Sequence, residues 1–232
     1  MVRIYPKRPE LFLNKGTRYL IDSEVLEYIK LITSDYTKIV QVGAGTGCIS
    51  TWLPQNTILV ESDLRNTKAL SKFSHVLWKS IFDVSMTQID SCDTLVSNLP
   101  YDRGVSILLH CVNLFSNIKH YFVILQEQVV NSILNQRGSL HHKFNHLFEV
   151  HLHKIIPNTS FDPIPTVNGA LIELTPRVTK DWGFIKFLNT LHYPRKTLHN
   201  NGLIGCLKRV NELSTAQLHQ LFLQHLDDTQ LR

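Results

Sequence analysis

The chain has 232 residues, 43% of them apolar, which suits one ordinary domain, or one large and one small, and excludes a disordered tail. A net charge of +5 and a pI near 9.0 point toward a polyanionic partner without requiring one. Four cysteines (Cys48, Cys92, Cys111, Cys206) form no CxxC pair, the paired histidines His141-His142 and His151/His153 have no cysteine at zinc spacing, and no apolar run can span a bilayer; a disulfide scaffold, a zinc module and a membrane protein are thereby excluded. The opening segment, Met1 to Pro9, is basic without an apolar signal core, so a cytoplasmic protein is expected, with an organellar address left open.

In chain order, the first periodic segment is a helix over Ser23–Ile32, with Ser23 as N-cap and Val25, Leu26, Ile29 and Ile32 on one stripe. Seven β-rich runs follow: Lys38–Val42, Thr57–Glu61, His75–Lys79, Asp93–Ser97, His120–Leu125, Phe148–Ile156 and Gly169–Leu174. Helices are expected between the first five, over Cys48–Leu53, Leu64–Phe73, Asp83–Asp90 and Val105–Phe115, and after the fifth over Gln126–Asn135. A proline-bearing loop, Pro157 to Pro165, and no helix, joins the last two strands, which makes them antiparallel neighbours. Beyond Pro176 the pattern is wholly helical, clearest over Asp181–Leu191 and Ser214–Leu226, where Ser214 and Gln217 form a capping-box pattern. The expected architecture is α/β. It resembles the class I S-adenosylmethionine-dependent methyltransferase fold: a Rossmann-like, seven-stranded, mostly parallel sheet over residues 1–177, followed by a small helical domain over 178–232.

Two motifs carry chemistry. Val40-Gln41-Val42-Gly43-Ala44-Gly45-Thr46-Gly47 reads as strand, tight turn and helix, and its glycines let the backbone approach a ligand. Glu61 ends the next strand, where a carboxylate can accept from both hydroxyls of a ribose. Together they indicate an adenosine-containing cofactor, and they do not separate NAD from S-adenosylmethionine. Asn98-Leu99-Pro100-Tyr101, at the end of the fourth strand, does help. The exocyclic amine of a purine is a poor nucleophile because its lone pair is delocalised into the ring. Two acceptors, the Asn98 side-chain carbonyl and a main-chain carbonyl at Leu99 or Pro100, can turn that lone pair toward a sulfonium methyl while Tyr101 stacks on the base.

These motifs resemble, in order, those of the KsgA-type ribosomal RNA adenine dimethyltransferases. Glu10-Leu11-Phe12-Leu13-Asn14 with Ile21-Asp22 is similar to the family's opening motif, and Asn98-Leu99-Pro100-Tyr101 is its base-binding motif unaltered. Leu125-Gln126 with Val129-Val130, Phe161-Asp162-Pro163-Ile164-Pro165-Thr166-Val167 with Ala170, and Arg195-Lys196-Thr197-Leu198 with Asn200 are similar to three further family motifs. The resemblance implies dimethylation of N6 on two adjacent adenosines in a loop near the 3′ end of small-subunit rRNA, with S-adenosyl-L-methionine as donor. The implied partner is small-subunit rRNA in a precursor of the small ribosomal subunit, and the implied state is a monomer. Carried over by position, Asn98, Pro100 and Tyr101 are catalytic. Leu11, Leu13, Gly43, Gly45, Glu61, Ser80 and Asn98 bind the donor. Tyr101 and Phe161 sandwich the extruded base, and Arg195 and Lys196 grip RNA.

Several positions depart from the family pattern. Leu11 stands for a polar residue, Gln41 for an acid before the first glycine, and Asp102-Arg103-Gly104 for Asn-Ile-Ser. Ser80 takes the register of the acid that faces the donor's adenine, with Asp83 the nearest carboxylate. Pro194 and His199 replace arginines. Weaker donor binding is expected, and the alternative function is an RNA-binding ribosome-assembly factor of the same fold that has lost turnover. A mitochondrial transcription-factor branch lacks a convincing address here, and the Phe-Asp-Pro-Ile-Pro and Arg-Lys-Thr motifs argue against a protein-glutamine methyltransferase.

Overall fold

The computed structural model describes residues 18–135, 138–178, 181–191, 198 and 208–230. Leu11, Leu13, Arg195 and Lys196 therefore lie outside the described residues. Contacts divide the chain into two units: the described residues through Glu127 with Leu152–Glu173, and Gln128–His151 with the described residues from Leu174 on. The elements are β1 (Tyr19–Leu20), α1 (Ser23–Ile32), β2 (Ile39–Val42), β3 (Ile58–Glu61), α2 (Thr67–Leu70), β4 (Val76–Trp78), β5 (Thr94–Asn98), α3 (Gly104–Leu114), β6 (His120–Gln126), α4 (Glu127–Leu134), α5 (Ser139–Leu147), β7 (Phe148–Ile156), β8 (Phe161–Asp162), β9 (Gly169–Pro176), α6 (Trp182–Thr190) and α7 (Thr215–Gln230).

Seven strands form one sheet in the order β4-β3-β2-β5-β6-β9-β7, with β2–β3, β3–β4, β2–β5 and β5–β6 parallel. All seven expected strands are present, and β9 sits beside β7 as the proline loop between them implied. Strand order reverses between β2 and β5, so the loops leaving these two strands diverge and open a crevice at their carboxyl ends. The central strands β2, β5 and β6 are buried along nearly their whole length, as parallel strands covered on both faces must be. Ser97 Oγ donates to the Val42 carbonyl at 2.7 Å and ties β5 to β2 at the reversal. A second, two-stranded antiparallel sheet pairs β1 with β8, Tyr19 opposite Asp162 and Leu20 opposite Phe161.

Helix α1 packs Val25, Leu26 and Ile29 into the core that includes Val96, Phe122, Ile124 and Leu171. Each side chain buried this way contributes roughly 1.5–3 kcal/mol. Its N-cap is Asp22 and not Ser23: the Asp22 carboxylate accepts from the Glu24 and Val25 N–H groups at 3.0 and 3.3 Å. Three expected helices are much reduced. Cys48–Leu53 becomes a turn ending in a three-residue 3-10 segment (Ser50–Trp52), Leu64–Phe73 a 3-10 turn leading into the four-residue α2, and Asp83–Asp90 two 3-10 turns (Ile81–Asp83 and Met86–Gln88). Each segment is short or rich in Ser, Thr, Asn and Asp, whose side chains compete for backbone hydrogen bonds.

In the second unit α5, α6 and α7 pack on one another. Four of the scattered histidines converge here. His146 and His219 flank the Phe184 ring at 4.9 and 4.8 Å, and His219 Nε2 lies 3.0 Å from Asp181, which caps α6. The Ser214 and Gln217 capping box forms, with bonds of 2.9 and 3.2 Å. His142 is fully buried, with Nδ1 2.9 Å from Thr215 Oγ1. Burial, assisted by the neighbouring His141, pulls its pKa down to about 4, so it stays neutral in the fold.

His142 makes stability pH-dependent. An exposed histidine in the unfolded chain titrates near 6.5. As pH falls from about 6.5 toward 4, the unfolded chain takes up a proton that the folded unit refuses, and on the order of 3 kcal/mol of stability is lost across that window. Denaturant unfolding at pH 7 and pH 4.5 reads the loss. His142→Asn, which keeps an acceptor for Thr215 and cannot charge, flattens that part of the profile.

Candidate active site

The crevice at the strand-order reversal is lined by residues leaving four consecutive strands: Gly43 to Thr46 with Cys48 and Ile49 after β2, Glu61 to Asp63 after β3, Lys79 to Phe82 after β4, and Ser97 to Pro100 with Asp102 and Arg103 after β5, with Arg18, Tyr19 and Leu20 closing one side. Of the expected site residues it brings together Gly43, Gly45, Glu61, Ser80, Asn98 and Pro100.

The turn after β2 depends on left-handed backbone. Gly43 and Gly45 have φ of +70° and +57°, a region that costs a side-chain-bearing residue roughly 1–2 kcal/mol. A Cβ at Gly45 would also lie 3.0 Å from the Tyr19 ring. The Gly43 and Ala44 N–H groups donate to the Val60 carbonyl at 2.8 and 3.2 Å, which ties the turn to β3. Glu61 is buried (7% exposed) and clamped: one carboxylate oxygen accepts the Gly45 N–H at 2.7 Å, the other the Asp63 N–H at 2.7 Å. Each oxygen keeps a lone pair for a ligand hydroxyl. Asp63 is itself held by Arg65, whose guanidinium hydrogen-bonds it and keeps its carboxyl below the usual range. Burial, then the Glu61 and Asp63 carboxylates, push the Tyr19 phenol upward, so it stays protonated beside the turn.

Ser80 lines the crevice, its Oγ accepting the Phe82 N–H at 3.3 Å, whereas Asp83 is exposed and does not line it. Ile81, Phe82 and Ile107 supply apolar wall near Ser80. Gln41 is buried (1% exposed), and its Oε1 accepts the Ser50 hydroxyl at 2.6 Å.

Asn98 ends β5 opposite Ile124 of β6. Its Nδ2 donates to the Arg18 main-chain carbonyl at 2.7 Å. That bond assigns the amide, because an oxygen facing a carbonyl would be repelled. The other end, Oδ1, is buried and has no partner among the described residues. Buried carbonyl oxygens are rarely left so, and leaving one unmatched costs roughly 1–3 kcal/mol. The Leu99 N–H donates to Ile124 O at 3.2 Å, and the Pro100 carbonyl already accepts the Arg103 N–H at 3.3 Å.

Tyr101 and Phe161 do not line this crevice. Their rings stand edge-to-face, 6.4 Å apart at 70°, and Phe161 is 1% exposed in the core, with Gly169 so close that a Cβ there would meet its ring at 2.8 Å. The expected stacking sandwich of Tyr101 and Phe161 is not formed here: Phe161 is a packing anchor that presents no open face, because β8 and Gly169 hold it against the core. Burial pushes the Tyr101 phenol up, and its hydroxyl has no partner among the described residues.

Sequence reading missed the contributions of Arg18, Tyr19, Asp63 and Ser97. Three of these act through main-chain groups or ring contact, which residue type does not disclose. Ser97 sits one position before Asn98 on a strand whose side chains alternate, and that placement is a usable signal.

The model of the ribosomal RNA adenine dimethylase family matches residues 14–201. The chain belongs to that family. It is similar to the ribosomal RNA small subunit methyltransferase A of Hydrogenobaculum sp. (strain Y04AAS1), 26% identical over 203 residues covering 79% of this chain and 80% of the relative. It is also similar to the probable ribosomal RNA small subunit methyltransferase A of Pyrobaculum aerophilum, 26% identical over 224 residues covering 89% and 95%. Among solved structures, a dimethyladenosine transferase from Plasmodium falciparum matches with a TM-score of 0.75 at 15% identity, over 90% of this chain and 98% of that one. The 23S rRNA methyltransferase ErmE matches with a TM-score of 0.63 at 16% identity, over 88% and 98%. Both show the same fold.

The chain is thus an S-adenosylmethionine-dependent rRNA adenine dimethyltransferase. The crevice fits that donor in its glycine turn, its clamped carboxylate with free lone pairs and its apolar wall beside Ser80. Gly45→Ala tests the cradle. The left-handed φ and the Tyr19 contact predict a stability loss of about 1–2 kcal/mol. Displacement of the N–H that holds Glu61 predicts donor binding weakened about tenfold or more, read by titration calorimetry.

Proposed function

We propose that the chain dimethylates N6 of two adjacent adenosines in a loop near the 3′ end of small-subunit rRNA, working as a cytoplasmic monomer on a precursor of the small ribosomal subunit. The small-subunit target is supported by the names of its relatives. Among the described residues no helix is long and apolar enough to cross a membrane. An unpaired loop adenosine suits the site because it costs little to extrude.

The buried, unpartnered Oδ1 of Asn98 carries the mechanistic reading. It accepts one hydrogen of the adenine amine. The Leu99 carbonyl is the better second acceptor, because that of Pro100 is already engaged by Arg103. Held by both, the amine turns its lone pair out of the ring plane and along the direction of attack. Pro100 fixes the backbone bend before Tyr101, whose ring, supported edge-on by Phe161, is the proposed face on which the base stacks. Glu61 orients the donor through its ribose, and Ser80 faces the donor's adenine. Bound there, S-adenosylmethionine supplies a methyl carbon made electrophilic by its positive sulfur. No strong general base is required, since the amine proton becomes acidic on alkylation. Leu11 and Leu13 would complete the donor site, and Arg195 and Lys196 would contact RNA phosphates.

Incubation with labelled donor and small subunits that lack the modification, followed by mapping of dimethyladenosine, tests this reading. Label on two adjacent loop adenosines supports it. Absence of label from a folded chain that still binds the particle favours the assembly-factor alternative. Asn98→Ala is expected to lower turnover by about 10²–10³-fold or more while leaving the fold intact by circular dichroism. Unchanged turnover removes the amide from the mechanism.

A further inference from the structure

The Asn98 amide is symmetric in shape and opposite in polarity at its two ends. Rotated by half a turn about its last side-chain bond, it would aim N–H groups at the N–H groups of the target amine. The same rotation would press its oxygen against the Arg18 carbonyl. The 2.7 Å bond from Nδ2 to Arg18 O is therefore the contact that selects the productive orientation. A main-chain carbonyl can do this only if the chain carrying it is itself held.

Arg18 immediately precedes β1, a strand of two residues that cannot hold itself. What holds it is β8 and the turn before it. The Ile21 N–H donates to the Ser160 carbonyl at 2.9 Å, and the Ser160 hydroxyl donates to Asp22 Oδ2 at 2.6 Å. The other Asp22 oxygen caps α1, whose apolar face is locked in the core. Ser160 is buried (4% exposed), and Leu20 and Phe161, opposite each other in the ribbon, are each 1% exposed. A continuous set of contacts thus runs from α1 through Asp22 and Ser160 to the β1–β8 ribbon, then to the Arg18 carbonyl and the Asn98 amide. We propose that Ser160 and Asp22 are positioning residues for methyl transfer, which hold the Arg18 carbonyl where it keeps Asn98 Oδ1 turned toward the target amine. This rests on the reading of Asn98 given above.

Removing the Ser160 hydroxyl leaves the α1 cap and the ribbon's main-chain bonds in place, so Ser160→Ala loosens the carbonyl without unfolding the chain. The expected result is a kcat lowered about tenfold with the KM for S-adenosylmethionine unchanged, because the donor cradle is not touched. Asp22→Ala, which removes the partner of the Ser160 hydroxyl together with the α1 cap, is expected to lower kcat at least as far as Ser160→Ala, again with the KM for S-adenosylmethionine unchanged. Ile133→Val, in the second unit, serves as a control for lost stability alone and leaves kcat unchanged. The direct readout is hydrogen exchange at the ¹⁵N-labelled Asn98 side chain: protected Nδ2 protons in the unaltered chain, and exchange about tenfold faster in Ser160→Ala. Rapidly exchanging Nδ2 protons in the unaltered chain overturn the proposal whatever the variants do. So does a wild-type kcat in Ser160→Ala alongside an inactive Asn98→Ala, an outcome that leaves the amide mechanism standing. An active Asn98→Ala sinks the amide mechanism and the positioning role together.

Discussion

A half-buried amide with one end tied and its buried oxygen unmatched is the constraint on which the proposed mechanism depends. Asn98 can keep Oδ1 unpartnered only because Nδ2 is bound to the Arg18 carbonyl, and only because β5 delivers it to the point where strand order reverses. An isolated carbonyl of this kind destabilises the fold by roughly 1–3 kcal/mol. On the proposed reading the same deficit is recovered when an amine donor arrives, and so becomes differential binding of the correct substrate group. The buried core around Val96, Phe122 and Ile124 provides the stability against which such a deficit is tolerated.

The donor half follows the opposite logic. Glu61 is over-determined: two main-chain N–H groups, from different loops, grip its two oxygens at 2.7 Å each. Left-handed glycines allow the first of those loops to come close enough. The carboxylate therefore arrives in place before any ligand does, and donor binding need not order it. One part of the crevice is complete in advance and the other is deliberately incomplete, and the two meet at β2 and β5, joined by the Ser97–Val42 bond.

How much of this was legible in the sequence varied with the kind of interaction. The central strands stood out because buried parallel strands are continuous apolar runs, and the residues at or just past the carboxyl ends of β2, β3, β4 and β5, Gly43, Glu61, Ser80 and Asn98, do meet in one crevice. The connections were less legible. Periodicity over six to ten residues cannot separate an α-helix from a 3-10 turn, and at Cys48–Leu53 and Asp83–Asp90 polar side chains and brevity decided for the turn. Helix α5 was not expected at all, because three of its nine residues are histidines that read as polar, yet His142 is buried and neutral within it. Strands of two residues such as β1 and β8 have no period to detect. An aromatic between prolines, Phe161, gives no sign of which way its ring will turn. The grip of Arg18 on Asn98 runs through a main-chain carbonyl, and every residue has one.

Gln41 shows how a single departure redistributes these roles. A carboxylate at that buried position would need compensation for its lost hydration, whereas the neutral amide is satisfied by the Ser50 hydroxyl at 2.6 Å. The crevice then holds one negative charge fewer. A sulfonium donor carries a positive charge that its demethylated product lacks, so a less negative crevice favours donor over product by a smaller margin. As the proposed ribose ligand, Glu61 meets a group that donor and product share, and cannot restore the difference. Discrimination between them falls instead to whatever lies nearest the sulfur, and on the proposed mechanism turnover in this chain becomes correspondingly more dependent on how well Asn98 and Leu99 hold the amine.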